Sequence, residues 1–317
     1  MENRLNKVQK ELSVIIPLFN EEKSLSSLYS KLKSVLESFD KSCEIIFVDD
    51  GSSDNSWSVL ERLHAEDKDI RGIQFRKNSG KAAALSAGFK CAKGKVIVTM
   101  DADLQDDPEE IPNFVNKLNE GYDLVSGWRF KREDSFSKTI SSKLFNYLTS
   151  TFTGIRVHDF NCGFKTYRKE VIKEIDLYGE LHRYIPVLAH WMGYRIGEIK
   201  VKHHSRAYGK SKYGTRRLFG GLTDLLTVLF LTRYMRKPLH LFGAVGLSLL
   251  LVGIIINIYF AVLWSLGEGV RVRPLLLLGV LLMLIGFQII STGLIGEMIS
   301  GTKGKDEGGY IIRKILD

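Results

Sequence analysis

The sequence predicts an α/β domain built on a mainly parallel sheet, followed by an interfacial amphipathic helix and a two-helix transmembrane hairpin. Three observations carry this. Between residues 12 and 126, short β-branched runs alternate with longer helical stretches, the pattern of right-handed crossovers in a parallel sheet. Residues 215–235 carry apolar residues at three- and four-residue steps. Two segments of 26 residues, 239–264 and 274–299, contain no Lys or Arg.

The runs LSVIIPL, CEIIFVD, IRGIQF, KVIVTM and YDLVSG read as strands, with helices expected over 22–39, 54–67, 80–92 and 108–120. The strand runs are apolar on both faces, as a sheet covered on both sides requires. Beyond them, the sequence predicts a helix near 137–150, a turn at Asp159–Phe164, a helix near 180–192 and a strand near 194–201. The basic stretch HHSRAYGKSKYGTRR follows. Leu218, Phe219, Leu222, Leu225, Leu226, Leu229 and Phe230 then form one face of a helix flanked by Arg216, Arg217, Arg233 and Arg236, suited to the bilayer interface. Packing of this helix into a core is the competing reading.

Each 26-residue segment would reach about 39 Å as a helix, more than the roughly 30 Å hydrocarbon core. Nine residues, 265–273, join them, so both outer ends emerge on one side. Arg233, Arg236 and Lys237 before the pair and Lys303 and Lys305 after it outnumber Arg271 and Arg273 in the short loop, which places the outer ends in the cytoplasm. Glycines 243, 246, 253, 279, 286, 293 and 296 permit close helix approach, within the hairpin or between subunits. The expected divisions are a catalytic domain over 1–212, a juxtamembrane helix over 213–237, membrane helices within 238–299 and a tail over 300–317. The strand-like tail GYIIRKILD makes a homo-oligomer credible.

The mean hydropathy of −0.03 averages two unlike parts. A net charge of +9 fits an anionic membrane surface or bound phosphates as well as nucleic acid. No nucleic-acid module accompanies the basic residues, so no nucleic-acid partner is expected. Cys43, Cys91 and Cys162 are widely spaced with no C-x-x-C pair, which excludes a disulfide framework or a zinc site. The run 12–19 is eight residues long, contains Pro17 and lacks a small-residue cleavage site, so it is not read as a signal peptide.

In such a sheet, ligands bind outside the carboxyl ends of the strands. The residues there are Phe19-Asn20-Glu21, Asp49-Asp50-Gly51-Ser52, Arg76-Lys77-Asn78, Asp101-Ala102-Asp103 and Gly127-Trp128-Arg129. Two carboxylates at the end of a buried strand repel each other and gain from a divalent cation, and hard oxygen ligands suit Mg²⁺ or Mn²⁺. Asp103 and Gln105 are expected as metal ligands, with Asp101 shared between metal and nucleotide. Such a metal would offset charge on a departing diphosphate. Asn20 can serve as a helix N-cap, while Glu21 can accept hydrogen bonds from a base or ribose packed on Pro17–Phe19. Asp54 reads as a helix cap and Asp50 as a ligand for a base or ribose edge. His203 and His204 are adjacent, so on a strand they point to opposite faces and form no metal pair by themselves.

In combination, P-L-F-N-E-E, V-D-D-G-S-S-D, N-S-G-K-A-A-A and D-A-D-L-Q-D resemble family 2 glycosyltransferases of the GT-A (Rossmann-like) fold. The R-A-Y-G-K-S-K-Y segment and two C-terminal membrane helices narrow the likeness to polyisoprenyl-phosphate glycosyltransferases, over about residues 11–300. That resemblance implies inverting transfer of one sugar from a UDP- or GDP-sugar to a lipid phosphate, undecaprenyl or dolichyl, at the cytoplasmic leaflet of a membrane such as the bacterial inner membrane. It places Pro17, Phe19, Glu21, Asp50 and Lys81 in the nucleotide-sugar pocket, with Asn20, Gly51, Ser52, Asp101 and Ala102 beside them. Arg129, Arg206, Ser211 and Lys212 would hold the acceptor phosphate, with Lys138 and Ser141 as weaker candidates. Guanidinium forks suit that task, because one anion must be brought against another. Asp103, Asp159 and Arg129 form the expected catalytic set. Asp159 is expected to orient substrate, since a phosphate monoester with a second pKa of about 6 is already ionised at neutral pH. A processive synthase would carry more membrane helices and a Q-x-x-R-W segment, and neither is visible. A non-catalytic scaffold is disfavoured by the intact acidic and basic segments.

Overall fold

In a computed structural model, the structure describes residues 10–39, 42–130, 146–147, 149–151, 153–179, 181–204, 238–267, 274–302 and 312–316. The chain divides into two compact units, Met1–Leu225 with Glu307–Asp317, and Leu226–Asp306.

In the first unit, β1 (Leu12–Leu18), α1 (Glu22–Glu37), β2 (Cys43–Asp49), α2 (Ser56–Glu66), β3 (Ile70–Phe75), α3 (Lys81–Cys91) and β4 (Val96–Thr99) alternate as expected. A 3₁₀ turn at Pro108–Glu110 leads into α4 (Ile111–Asn119), then β5 (Leu124–Arg129). Further on come β6 (Lys165–Arg168), α5 (Lys169–Glu174), a 3₁₀ turn at Leu181–Tyr184, α6 (Ile185–Trp191) and β7 (Ile196–Val201). Strand β1 is central, parallel to both β2 and β4. Val14, Ile15 and Ile16 are fully buried, as a strand with helices on both faces requires. The amphipathic α1 contributes Leu25, Leu28 and Leu32, and α4 contributes Phe114, Val115 and Leu118, to one apolar core.

The sheet order is β7-β5-β6-β4-β1-β2-β3-β8. It is mostly parallel but mixed, and two strands depart from the sequence expectation. β6 inserts antiparallel between β4 and β5, so β5 does not lie beside β4. Its KTYR sequence is short and polar, which hid it from a hydrophobic pattern. β8 (Ile312–Leu316) lies in the expected tail and pairs antiparallel with β3 of its own chain.

The second unit holds α7 (Pro238–Ser265) and α8 (Pro274–Thr302). Leu239–Ser265 and Pro274–Gly296 are long and apolar enough to cross a membrane, with mean hydropathies of 2.5 and 2.4. Ile255, Phe287 and Leu284 are 66%, 65% and 64% exposed, so these are not the core helices of a soluble domain; apolar surface of this extent needs lipid or a partner. Glycines form the seam between them. A Cβ at Gly246 would sit 2.6 Å from the Gly286 carbonyl oxygen, and one at Gly253 equally close to that of Gly279. The amphipathic helix expected over 213–237 lies outside the described residues.

Candidate functional site

The carboxyl ends of β1 and β2 are laced together. Asn20, at φ 54°, donates its backbone N–H to the Ser52 hydroxyl and accepts from Ser53 N through Oδ1, both at 2.8 Å. The expected capping role of Asn20 therefore goes elsewhere: α1 has Glu21 at its N-cap position, without a side-chain capping bond. Asp54 accepts from Ser56 N at 3.0 Å, although the α2 N-cap position falls on Asn55. Gly51 has φ +72°, and a Cβ there would lie 2.6 Å from the Lys77 carbonyl carbon, so only glycine fits. Pro17 lies on β1 opposite Val48, and Phe19 is half-buried beside it.

Asp50 is buried, and its two oxygens accept from Ser79 N at 2.6 Å and Gly80 N at 2.9 Å. Burial raises its pKa, and these two bonds oppose the rise. Asp50 thus braces the loop that starts α3 and presents Lys81, whose ammonium pairs with Asp101. The two accepted bonds leave lone pairs on this carboxylate for a base or ribose edge.

The acidic loop leaves β4 at Asp101. Ala102 and Asp103 are buried, and Leu104 takes φ 61°, a conformation that costs a bulky residue about 1–3 kcal/mol and is typical of functional loops. Asp103 Oδ1 accepts from Gln105 N at 3.2 Å. Gln105 meets the end of the chain's next segment: His204 N donates to the Gln105 carbonyl at 2.9 Å, and Gln105 Nε2 lies 3.3 Å from the His204 carbonyl. Desolvation works against the Asp101 charge, but Lys81 foremost, then Arg129 and Lys165, hold its pKa below the usual range. Asp106 behaves oppositely: burial, then the Asp101 charge, push it up to about 7.

Among the described residues, no group of three or more His, Cys, Asp or Glu side chains is gathered for a metal ion. Mg²⁺ is commonly held by one or two carboxylates together with substrate phosphates. The carboxylates of Asp101 and Asp103 and the side-chain oxygen of Gln105, all hard oxygen donors, fit that manner of binding.

Arg129, at the end of β5, forks onto Asp159, with Nε to Oδ2 at 2.7 Å and Nη2 to Oδ1 at 3.1 Å. Asp159 is 1% exposed. Burial opposes the Arg129 charge, yet the Asp159 carboxylate raises its pKa above the ordinary value. This is a buried, bidentate pair and no surface salt bridge. Two of the five guanidinium N–H groups bind the carboxylate, so others can reach a phosphate. Asn161 N also donates to Asp159 Oδ1 at 3.2 Å. Lys138, Ser141, Arg206, Ser211 and Lys212 lie outside the described residues.

Sequence reasoning missed Gly163 and Lys165. A Cβ on Gly163 would lie 2.7 Å from both Asp101 carboxylate oxygens, so the residue is glycine to admit that carboxylate. Lys165 is buried on β6, and a lysine inside a short polar strand offers no periodic signal. Asp106 stood within the motif D-A-D-L-Q-D without a role assigned to it.

Residues 13–176 match the glycosyl transferase family 2. The chain belongs to that family. It is 40% identical to the dodecaprenyl-phosphate galacturonate synthase of Rhizobium johnstonii over 97% of this chain and 93% of that protein. Among solved structures, glucosyl-3-phosphoglycerate synthase from Mycobacterium tuberculosis in complex with Mn²⁺, UDP and glucosyl-3-phosphoglycerate superposes with a TM-score of 0.53 at 18% identity, covering 70% of this chain and 80% of that one. The same enzyme in complex with Mg²⁺ and UDP gives 0.51 at 16% identity, covering 70% and 79%. These likenesses establish the GT-A fold of the first unit.

Proposed function

We propose that this glycosyltransferase transfers one hexose-type sugar, with inversion, from a UDP-sugar to a polyisoprenyl phosphate at the cytoplasmic face of a membrane. The observation that carries the reading is the meeting, at one sheet edge, of the Asp101–Gln105 loop with the Arg129–Asp159 pair, in a chain that also holds two apolar membrane-length helices. The galacturonate synthase relative supports a lipid-phosphate acceptor and puts uronic acids on the donor panel. Neighbours that bind UDP favour UDP over GDP.

Asp101, Asp103 and Gln105 would hold Mg²⁺ or Mn²⁺, which offsets charge on the leaving diphosphate. Lys81 adds a cation on the same side, and Pro17, Phe19, Asn20, Glu21, Gly51, Ser52 and Ala102 shape the nucleotide end. Arg129 draws the acceptor phosphate towards the donor, aided by Arg206, Ser211 and Lys212, with Lys138 and Ser141 nearby. Asp159 holds the Arg129 fork in place. Because the acceptor phosphate is ionised before it arrives, no protein base has to take its proton. The domain divisions stated from sequence, cytoplasmic placement of residues 1–212 and a homo-oligomer belong to the same proposal.

Purified full-length protein supplied with Mn²⁺, undecaprenyl phosphate and a radiolabelled donor panel should yield lipid-extractable sugar. Complete absence of such product with every donor would sink the reading. Asp159→Asn should lower turnover strongly without changing the shape of the pH–rate profile; loss of a basic limb would identify Asp159 as a proton acceptor instead.

A further inference from the structure

Gln288 differs from the hydroxyl and amide side chains around it on the two membrane-length helices. Ser248, Ser291 and Thr292 each donate to the carbonyl four residues earlier in their own helix, at 2.8, 3.0 and 2.9 Å. Asn257 donates to the Gly253 carbonyl at 2.8 Å and lies 3.6 Å from Met283 Sδ of the facing helix. Gln288 is exposed, and its side-chain amide bonds to none of the described residues. It lies three residues past Ile285, the midpoint of the Pro274–Gly296 span, or about 4.5 Å along the axis. Half of the hydrocarbon core is about 15 Å, so about 10 Å of apolar depth separates this amide from the nearer interface. Lipid can cover an exposed leucine there; it cannot pair an amide. Gln288 also stands in a regular stripe. Leu277, Leu281, Leu284, Gln288, Ser291 and Ile295 follow one another at steps of four, three, four, three and four residues, the 3.5-residue period of a helix–helix seam. The four apolar members are 51–64% exposed. α7 occupies the other side of α8, where it meets Gly279, Met283, Gly286 and Ile290. That set is displaced by two positions from the stripe, about 200° around the helix.

We propose that this stripe is the seam of a parallel dimer with a second copy of this chain, in which the two Gln288 amides pair with each other. This rests on the membrane-crossing reading of the hairpin above and gives the homo-oligomer its contact face. Copies of one chain share one orientation in the membrane, set by their charged flanks. α8 therefore meets α8 in parallel, and under two-fold symmetry each residue of the stripe faces its own counterpart at the same depth. An amide offers both donors and an acceptor, so two identical Gln288 side chains satisfy one another, where lipid tails leave both unpaired. A single polar residue in an otherwise apolar seam also fixes its register. A slip of seven residues would set each amide against Leu281 or Ile295.

The test uses full-length protein reconstituted in phosphatidylcholine vesicles, with single cysteines placed along α8 and oxidised to a disulfide-linked dimer. Leu281→Cys, Leu284→Cys and Gln288→Cys should cross-link several-fold more than Phe287→Cys, which is 65% exposed but about 100° around the helix from Gln288. The unaltered chain, whose Cys43, Cys91 and Cys162 all lie in the first unit, sets the background. Gln288→Leu should raise the dimer's dissociation constant by about tenfold, read by energy transfer between copies labelled at the N-terminus over a range of protein-to-lipid ratios. Gln288→Asn should keep most of the association. Uniform cross-linking along α8, or a Gln288→Leu variant that associates as tightly as the unaltered chain, overturns the seam. So does a chain that resists extraction by alkaline carbonate yet stays monomeric at every ratio, for lipid alone would then cover the stripe. A chain that carbonate releases from membranes refutes the membrane reading itself, and the seam with it.

Discussion

Gly163→Ala is a one-carbon change aimed at Asp101. The added Cβ would meet both carboxylate oxygens at 2.7 Å and Cγ at 2.8 Å, distances that Cβ atoms do not tolerate. The backbone has little room to retreat, because the Gly163 carbonyl accepts from the Thr99 hydroxyl at 2.9 Å and the Phe164 carbonyl from Gly127 N at 2.9 Å. Asp101 must therefore yield, by roughly half an ångström or more, and its pairing with Lys81 shifts with it. Overpacking of this kind costs about 1–3 kcal/mol, so the protein should remain folded with a modestly lowered Tm. A displacement on the order of 1 Å at a reacting centre costs about a hundredfold in rate. The expectation is a kcat/KM lower by about ten- to a hundredfold, with Mn²⁺ affinity weakened in parallel in a titration followed by electron paramagnetic resonance. Unchanged turnover together with unchanged Mn²⁺ affinity would refute the inference that Asp101 holds the metal and that Gly163 exists to admit it.

Three further outcomes follow from the geometry. Arg129→Met leaves the Asp159 carboxylate buried without its fork and should lower stability by about 3–5 kcal/mol, read as the thermal midpoint in detergent; an unchanged midpoint would show that the pair is dispensable to the fold. Asp106, pushed by burial and the Asp101 charge from the ordinary carboxylate range up to about 7, binds its proton more tightly in the native state. Its contribution is complete below the unfolded value and is lost as the pH rises through about 7. Asp106→Asn, measured without metal, should therefore gain stability over the unaltered protein at pH 8 and not at pH 4, by on the order of a few kcal/mol; equal differences at both pH values would disprove the shift. Gly246→Leu should lower the midpoint of the hairpin unit by the equivalent of about 1–3 kcal/mol, whereas Gly243→Leu, where a Cβ meets only Leu239 of its own helix, should be nearly silent.

The first five strands and the two membrane-length helices were legible in the sequence because each is a run of apolar residues with the period or length of its element. The acidic loop was legible for the same reason, since the strand before it marked the sheet edge. β6 was not: Lys165, Thr166 and Arg168 are polar, and the burial of the first two follows from pairing on both sides, a tertiary fact. Asp50 illustrates a different limit. Its place at the sheet edge was evident, but the backbone N–H groups that occupy it come from residues 79 and 80, about thirty positions away. Likewise Gly163 carries no positive φ, and only the proximity of Asp101 explains why it has no side chain.

The antiparallel pairing of β8 with β3 imposes an order on biogenesis. The strand that completes the catalytic sheet is synthesised after both apolar helices, so the β3 edge stays open while those helices are being made. Open edges recruit foreign strands, and a chain halted between the helices and β8 would carry one. Truncation before residue 312 should therefore show itself as aggregation through the first unit, read by light scattering against the full chain.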